Sequence, residues 1–159
     1  MADLSRESGL GAGQIYRYFT SKELIVTEAI RDIAESWRAF LLQYLPKLNS
    51  TQDIINEKSP FWLGWSIQDR RLLLEVYSEA SRNEDVRAVL AQQEKLLIKA
   101  LEPVFAQRWP HSSVQQRTNR IHFLLLLIDG VACRTYSETD LDQTELRRIN
   151  NVLSEHIFS

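Results

Sequence analysis

The amino-acid sequence predicts an all-α fold, and three observations carry that prediction. Apolar residues recur at steps of three and four along most of the chain, the period of a helix with one buried face. Five glycines and four prolines in 159 residues leave little room for long irregular regions. No stretch alternates apolar and polar residues as a half-buried strand would. With 44% hydrophobic and 25% charged residues, the chain can build one sizeable core, or a small unit beside a larger one.

Residues Leu4–Ser8 read as a short helix that Gly9 ends as a left-handed C′ residue, with Leu10 and Gly11 as the turn. Ala12–Tyr18 makes a second short helix. Thr20 and Glu23 have capping-box spacing, and Phe19 and Leu24 that of a hydrophobic staple, so a long helix is expected to begin at Ser21. Its stripe over 23–45 is Val26, Ile30, Ile33, Trp37, Leu41 and Tyr44, a span of about 34 Å at the helical rise. Pro46 and the polar run NSTQD break it.

Ser59-Pro60 is a helix start, and helix is expected from there to about Ser81, bent near Gly64. SRNED (81–85) is a turn with Asn83 as the next N-cap. Helix over 84–108 follows, with Val86, Val89, Leu90, Leu97, Leu101 and Val104 on its apolar stripe, and Pro103 is expected to kink it or end it early. In PHSSVQQR, Ser112 and Gln115 stand at capping-box spacing and open a helix to about Ser137. A last helix, about 141–157, carries Leu146, Ile149, Val152, Leu153 and Ile157.

Composition narrows the function classes. A net charge of −2 argues against general adhesion to nucleic acid, so phosphate contact needs a local patch. The single cysteine, Cys133, forms no internal disulfide and no metal cluster. Phe123–Ile128, the longest apolar run, is too short to span a bilayer, and the reading is a cytoplasmic protein without metal or cofactor. Catalysis needs a convergent acid, base or nucleophile; His111, His122 and His156 lie far apart, and no phosphate loop is present, so an enzyme is not expected.

The segment GAGQIYRYFTSKEL (11–24) is different in kind. Aromatics and cations stand together, with no acid between Gly11 and Lys22. Helix, glycine turn, helix is the arrangement that seats a second helix in the major groove of DNA. Ile15 and Phe19 lie four apart and face inward, which leaves Gln14, Tyr16, Arg17 and Tyr18 outward. The tyrosine hydroxyls, Arg17, Lys22 and the free N–H groups opening the long helix can meet phosphates, and Gln14 can read an adenine edge. The same features also suit a short helix that merely packs on its neighbour.

DLSRESGLGAGQIYRYFTSKELI resembles the DNA-binding region of the TetR family of bacterial transcriptional regulators. The resemblance rests on Gly9, Gly13, the run Tyr16-Arg17-Tyr18-Phe19 and the start Ser21-Lys22-Glu23-Leu24. LLLEVYSEASRNEDVRAVL (72–90) and LLLLIDGVACR are more loosely similar to its regulatory and dimer helices. Two departures stand out. Gly11 occupies the place where the family commonly has a serine capping the recognition helix. The family's first helix and the start of its second precede the residues that match Met1–Leu4. Leu4, Ile15 and Phe19 would bury against that first helix, so residues 1–20 are expected to be weakly packed and operator affinity reduced.

The resemblance implies two units, residues 1–45 as a partial helix-turn-helix with its connecting helix and 46–159 as a ligand-binding and dimerisation domain. It implies a repressor that binds double-stranded operator DNA as a homodimer and is released by a small apolar or aromatic ligand. Aromatic side chains are the usual lining of such a pocket; Trp62, Trp65, Tyr77, His122 and Phe123 are the candidates, and each also suits the core. The excess apolar surface of helix 112–137, with helix 141–157, fits a four-helix dimer interface through Leu124, Ile128, Gly130, Val131, Ile149 and Leu153. Asp129 at that seam is expected to be solvated or hydrogen-bonded. The alternative is a dimeric ligand-binding or interaction protein that has lost DNA binding through N-terminal truncation.

Overall fold

Residues 2–9, 11–56, 59–134 and 143–158 are described by the computed structural model; within its helices the side chains of residues 2–4, 12, 15, 16 and 143 lie outside that description. Helix follows helix through the described residues, and no strand occurs among them. Helix α1 (Ala2–Ser8) ends at Gly9, whose φ of 69° is the left-handed C′ conformation glycine adopts without strain. Helix α2 (Ala12–Tyr18) opens without a capping side chain at Gly11, but Gln14 reaches back and its Oε1 accepts the Gly11 N–H at 3.0 Å. The expected burial of Leu4 and Ile15 falls on side chains outside the described set; Phe19 is half-buried.

Helix α3 (Lys22–Tyr44) is capped one residue later than the Thr20–Glu23 spacing predicted. Ser21 has extended backbone, and its Oγ accepts the Leu24 N–H at 3.1 Å. A 3-10 turn at Leu45–Lys47 and the short helix α4 (Gln52–Ile55) lead to a second 3-10 turn, Pro60–Gly64. The single bent helix expected over 59–81 is thus two elements. Ser66 interrupts it with its own capping box, accepting the Asp69 N–H while the Asp69 carboxylate takes the Ser66 N–H at 2.7 Å, and helix α5 (Ile67–Arg82) starts there. A Cβ on Gly64 would meet the Phe40 ring at 3.0 Å, so glycine lets the turn lie close against α3.

Helix α6 (Glu84–Arg108) begins at the Asn83 cap and runs through Pro103, where a kink or an early end was expected, to its C-cap at Trp109. Pro103 is exposed, while Leu101 and Phe105 on either side are fully buried, and that burial holds the helix across the missing hydrogen bond. Helix α7 (Val114–Ala132) has a complete capping box, formed by Ser113 and Gln116 and so shifted by one residue from Ser112 and Gln115. It ends at Cys133; part of its expected continuation to Ser137, and the expected start of the last helix at 141, lie outside the described residues. Helix α8 is Gln143–Phe158.

The packing places α3 along α6, with α5 and α7 also against α6 and the short α4 between α7 and α8. Two groups of buried side chains result. The smaller joins Ile30 of α3 to Val76 and Ala80 of α5 and Val86 of α6. The larger is rich in aromatics and runs from Phe61, Trp62 and Trp65 to Leu101, Phe105 and Trp109, closed by Ile121, Leu124 and Ile128 of α7. Trp37, partly buried, packs against both. A buried polar seam ties α8 to α4: Thr51 Oγ1 donates to the carbonyl and side-chain oxygens of Asn150, and Asn150 Nδ2 donates to Gln52 Oε1 at 2.8 Å.

Candidate functional site

A cavity of about 110 Å³ opens where the two cores meet. Helix α3 supplies Ala34, Trp37, Arg38 and Leu41, one face at steps of three and four. Leu90, Gln93, Glu94 and Leu97 of α6 form the opposite wall, and Tyr77 of α5 with Leu125 and Asp129 of α7 complete it. The wall is mainly carbon, with a few polar groups fixed by their neighbours. Arg38 Nε donates to Gln93 Oε1 at 2.8 Å, and Gln93 Nε2 donates to Glu35 Oε1 at 3.4 Å. His122 Nδ1 lies 3.1 Å from Glu94 Oε1.

Asp129 and Tyr77 both line this cavity, near enough for each to shift the other's ionisation. Burial pushes the Asp129 carboxyl up to about 6; the Tyr77 hydroxyl pulls it down less than burial lifts it, and Glu94 adds a further upward push. Burial, then the Asp129 charge, also raises the Tyr77 hydroxyl well above the ordinary tyrosine value. Burial and Asp129 raise the Cys133 thiol too, so it is held as the unreactive thiol. No group of three His, Cys, Asp or Glu side chains suited to a metal ion occurs among the described residues.

The candidate pocket residues do not converge on one place. Tyr77 lines the cavity, and His122 stands at its edge through Glu94. Trp62 and Trp65 are core instead, only 3% and 8% exposed. Trp62 packs edge-on against Phe61 and donates its indole N–H to the Ile54 carbonyl at 2.6 Å, while Trp65 stacks on Trp37. Phe123 borders a separate groove of about 450 Å³ between α7 and α8, with Arg120, Val152, Leu153 and His156. Sequence reasoning missed Trp37, Arg38 and Gln93. The signal for Gln93 was present: a glutamine on the apolar stripe of α6, between Leu90 and Leu97, 94% buried.

At the N-terminus, Arg17 and Lys22 are exposed and Tyr18 keeps 75% of its surface. Gln14 is exposed too, and its Oε1 accepts the Gly11 N–H, which occupies one of the two lone pairs open to an adenine contact. The Tyr16 side chain lies outside the described residues. A pocket of about 480 Å³, lined by the cap residue Ser21 and by Glu23, Thr27 and Arg31 of α3 with Asp85 and Gln92 of α6, separates this end of α3 from α6.

The expected interface residues divide. Leu124 and Ile128 are at most 1% exposed and belong to the chain's own core, because α7 turns that side toward α6 and α4. Gly130 and Ile149 are exposed, and Val131 and Leu153 half-buried. The apolar residues that do face outward on α7 and α8 include Leu126 at 69% and Val152 at 56% exposure, neither of them foreseen as interface. No described helix is long and apolar enough to cross a membrane. No protein family, curated protein or solved structure matches the chain.

Proposed function

We propose that the chain is a TetR-like transcriptional regulator, a repressor that binds operator DNA as a homodimer and releases it when a small molecule fills the cavity. One observation carries the reading. A single helix, α3, begins beside the exposed Arg17, Tyr18 and Lys22 and, about four to five turns on, forms a wall of the cavity with Trp37, Arg38 and Leu41. A rigid rod from ligand to DNA-contacting side chains needs no further relay: a ligand that pushes α3 away from α6 and α7 moves the start of the rod. In a dimer, that motion changes the separation of two recognition helices that must enter major grooves about 34–36 Å apart.

The exposed apolar side chains of α7 and α8, Leu126, Ile149 and Val152, beside the side-chain-free Gly130, support two-fold pairing through these helices. Arg17 and Lys22 suit phosphate rather than base contact, which leaves sequence readout to Gln14, Tyr16 and Tyr18. The test is selection from a pool of random duplexes by the intact chain at low salt. Enrichment of an inverted repeat supports the reading, and replacing Arg17 or Lys22 by Ala is then expected to lower the salt dependence of log affinity by about one phosphate each. Absence of any enriched sequence, with a dimer in sedimentation, favours the ligand-binding protein without DNA activity.

A further inference from the structure

The cavity carries more carboxylates than cations. Asp129 and Glu94 both line it, close enough that the charge on Glu94 makes Asp129 harder to ionise. The donor facing Asp129 is the neutral Tyr77 hydroxyl, and among the described residues no arginine or lysine is paired with it. Glu94 has His122 beside it, which is neutral unless protonated. Arg38, the one arginine of the lining, is turned to Gln93, and through Gln93 it faces a third carboxylate, Glu35. The rest of the wall is Trp37 with Leu41, Leu90, Leu97 and Leu125.

A half-buried carboxylate, Asp129, beside a more exposed one, Glu94, leaves repulsion that a positive ligand would relieve, and the effect at Asp129 is larger than in open water. An aromatic ring and leucines opposite suit the carbon body of such a ligand. A neutral apolar guest would leave the repulsion in place, and an anion would add to it. Size narrows the choice further: about 110 Å³ is less than the roughly 150 Å³ cavity that holds benzene, so the body has only a few carbons.

We infer that the cavity takes a small organic ammonium ion, its charged head between Asp129 and Glu94 and its carbon body against Trp37 and Leu125. The inference rests on the cavity being the ligand site of the proposed regulator, and it fixes the class of effector: a short alkylamine rather than an uncharged aromatic. Binding holds Asp129 in its ionised form, so Asp129 and Glu94 determine specificity while the leucines set the length of chain admitted.

Three probes of nearly equal length, n-butylammonium, n-butanol and butyrate, separate charge from shape. Each is titrated into the intact chain, with affinity from ligand-observed NMR and position from the Trp37 indole N–H resonance. The expected order is butylammonium, then butanol about tenfold weaker, then butyrate. Asp129→Asn should bring butylammonium to the affinity of butanol and leave butanol unchanged, and Glu94→Gln, which leaves the Tyr77 contact intact, should weaken butylammonium alone. Butanol binding as tightly as butylammonium, with the Trp37 resonance moving, overturns the ammonium assignment and leaves the cavity as a ligand site. No movement of Trp37 with any of the three overturns both.

Discussion

The two ends of α3 are held by different physics. Its first half packs Ile30 against Val76, Ala80 and Val86, a small aliphatic group, and its opening residues Lys22, Glu23 and Leu24 are exposed. Its second half enters a much larger core, where Phe40 touches Tyr44, Phe61 and Trp65, with ring centroids 4.5–5.5 Å apart. Burial scales with apolar area, so the second half is the anchor and the first half the part that is free to respond. The cavity lies at the joint, beside Trp37. In the proposed regulator, an effector there would act on a rod held more firmly at one end than at the other.

Core truncation is the strongest way to break that comparison. Phe105 is fully buried and stacks face to face on Trp109 at 4.5 Å. Phe105→Ala is expected to cost about 3–5 kcal/mol in urea denaturation, and Val86→Ala, in the smaller group, about 2 kcal/mol or less. Equal losses, despite the smaller side chain removed at Val86, would mean that the smaller group is packed at least as tightly as the larger, and the lever argument would fail.

Next comes the polar seam, which anchors α8 to the larger core by hydrogen bonds rather than by area. Asn150 is 1% exposed and serves both Thr51 and Gln52. Asn150→Ala strands those partners and is expected to cost about 1–3 kcal/mol. Hydrogen exchange should speed up in α8 and α4 before it does in α3. Acceleration spread evenly over all helices would remove the distinction between anchor and rod.

The helices were legible because their burial pattern is local: the stripe of α6 and the cap at Asn83 predicted 84–108, and the chain folds so. The break at Ser66 was legible in principle, since Ser66 and Asp69 stand at capping spacing, but Ser59-Pro60 offered an earlier start and the apolar run after it hid the interruption. The site was harder to read. Aromatic character does not separate a pocket wall from a core: Trp62 and Trp65, read as pocket candidates, lie in the core, while Trp37, on the stripe of α3, lines the cavity. Where helices diverge enough to leave a void is set by side chains from four helices at once, and no one stretch of sequence records it. Polar residues on apolar stripes, Gln93 and Asp129, were the local trace of it.

The pH dependence of stability sharpens the role of the joint. The Asp129 carboxyl is raised from 3.8 to about 6 on folding, so between those values the folded chain binds more protons than the unfolded one. Its contribution to stability therefore falls as pH rises through this window and is a cost above it, on the order of 1–2 kcal/mol once solvent screening is allowed for. Glu23 and Glu79, whose pKa values are lowered by hydrogen bonds, work in the opposite direction at the surface. They cancel when variant and parent are compared. Asp129→Asn should be the more stable at pH 7, with the difference vanishing below about pH 4. A difference independent of pH would show that Asp129 is not desolvated at the cavity.

The smallest expected effect tests the free end directly. Ser21 caps α3 through the Leu24 N–H, and no fully buried side chain lies in the turn it closes, since Lys22, Glu23 and Leu24 are exposed. Ser113 performs the same task for α7, whose next turns are pinned by Ile121 and Leu124 at 0% exposure. Either serine replaced by alanine is expected to cost about 1 kcal/mol or less globally. The local consequence should differ. Ser21→Ala should free the amides of the first turn of α3 to exchange much faster, because the cap supplies most of what orders that turn. Ser113→Ala should change exchange in α7 little beyond its first turn, because burial downstream holds the helix in register. Matching local changes at the two sites would mean that the start of α3 is held by contacts other than its cap, and an effector at Trp37 would then have a clamped rod to move at both ends.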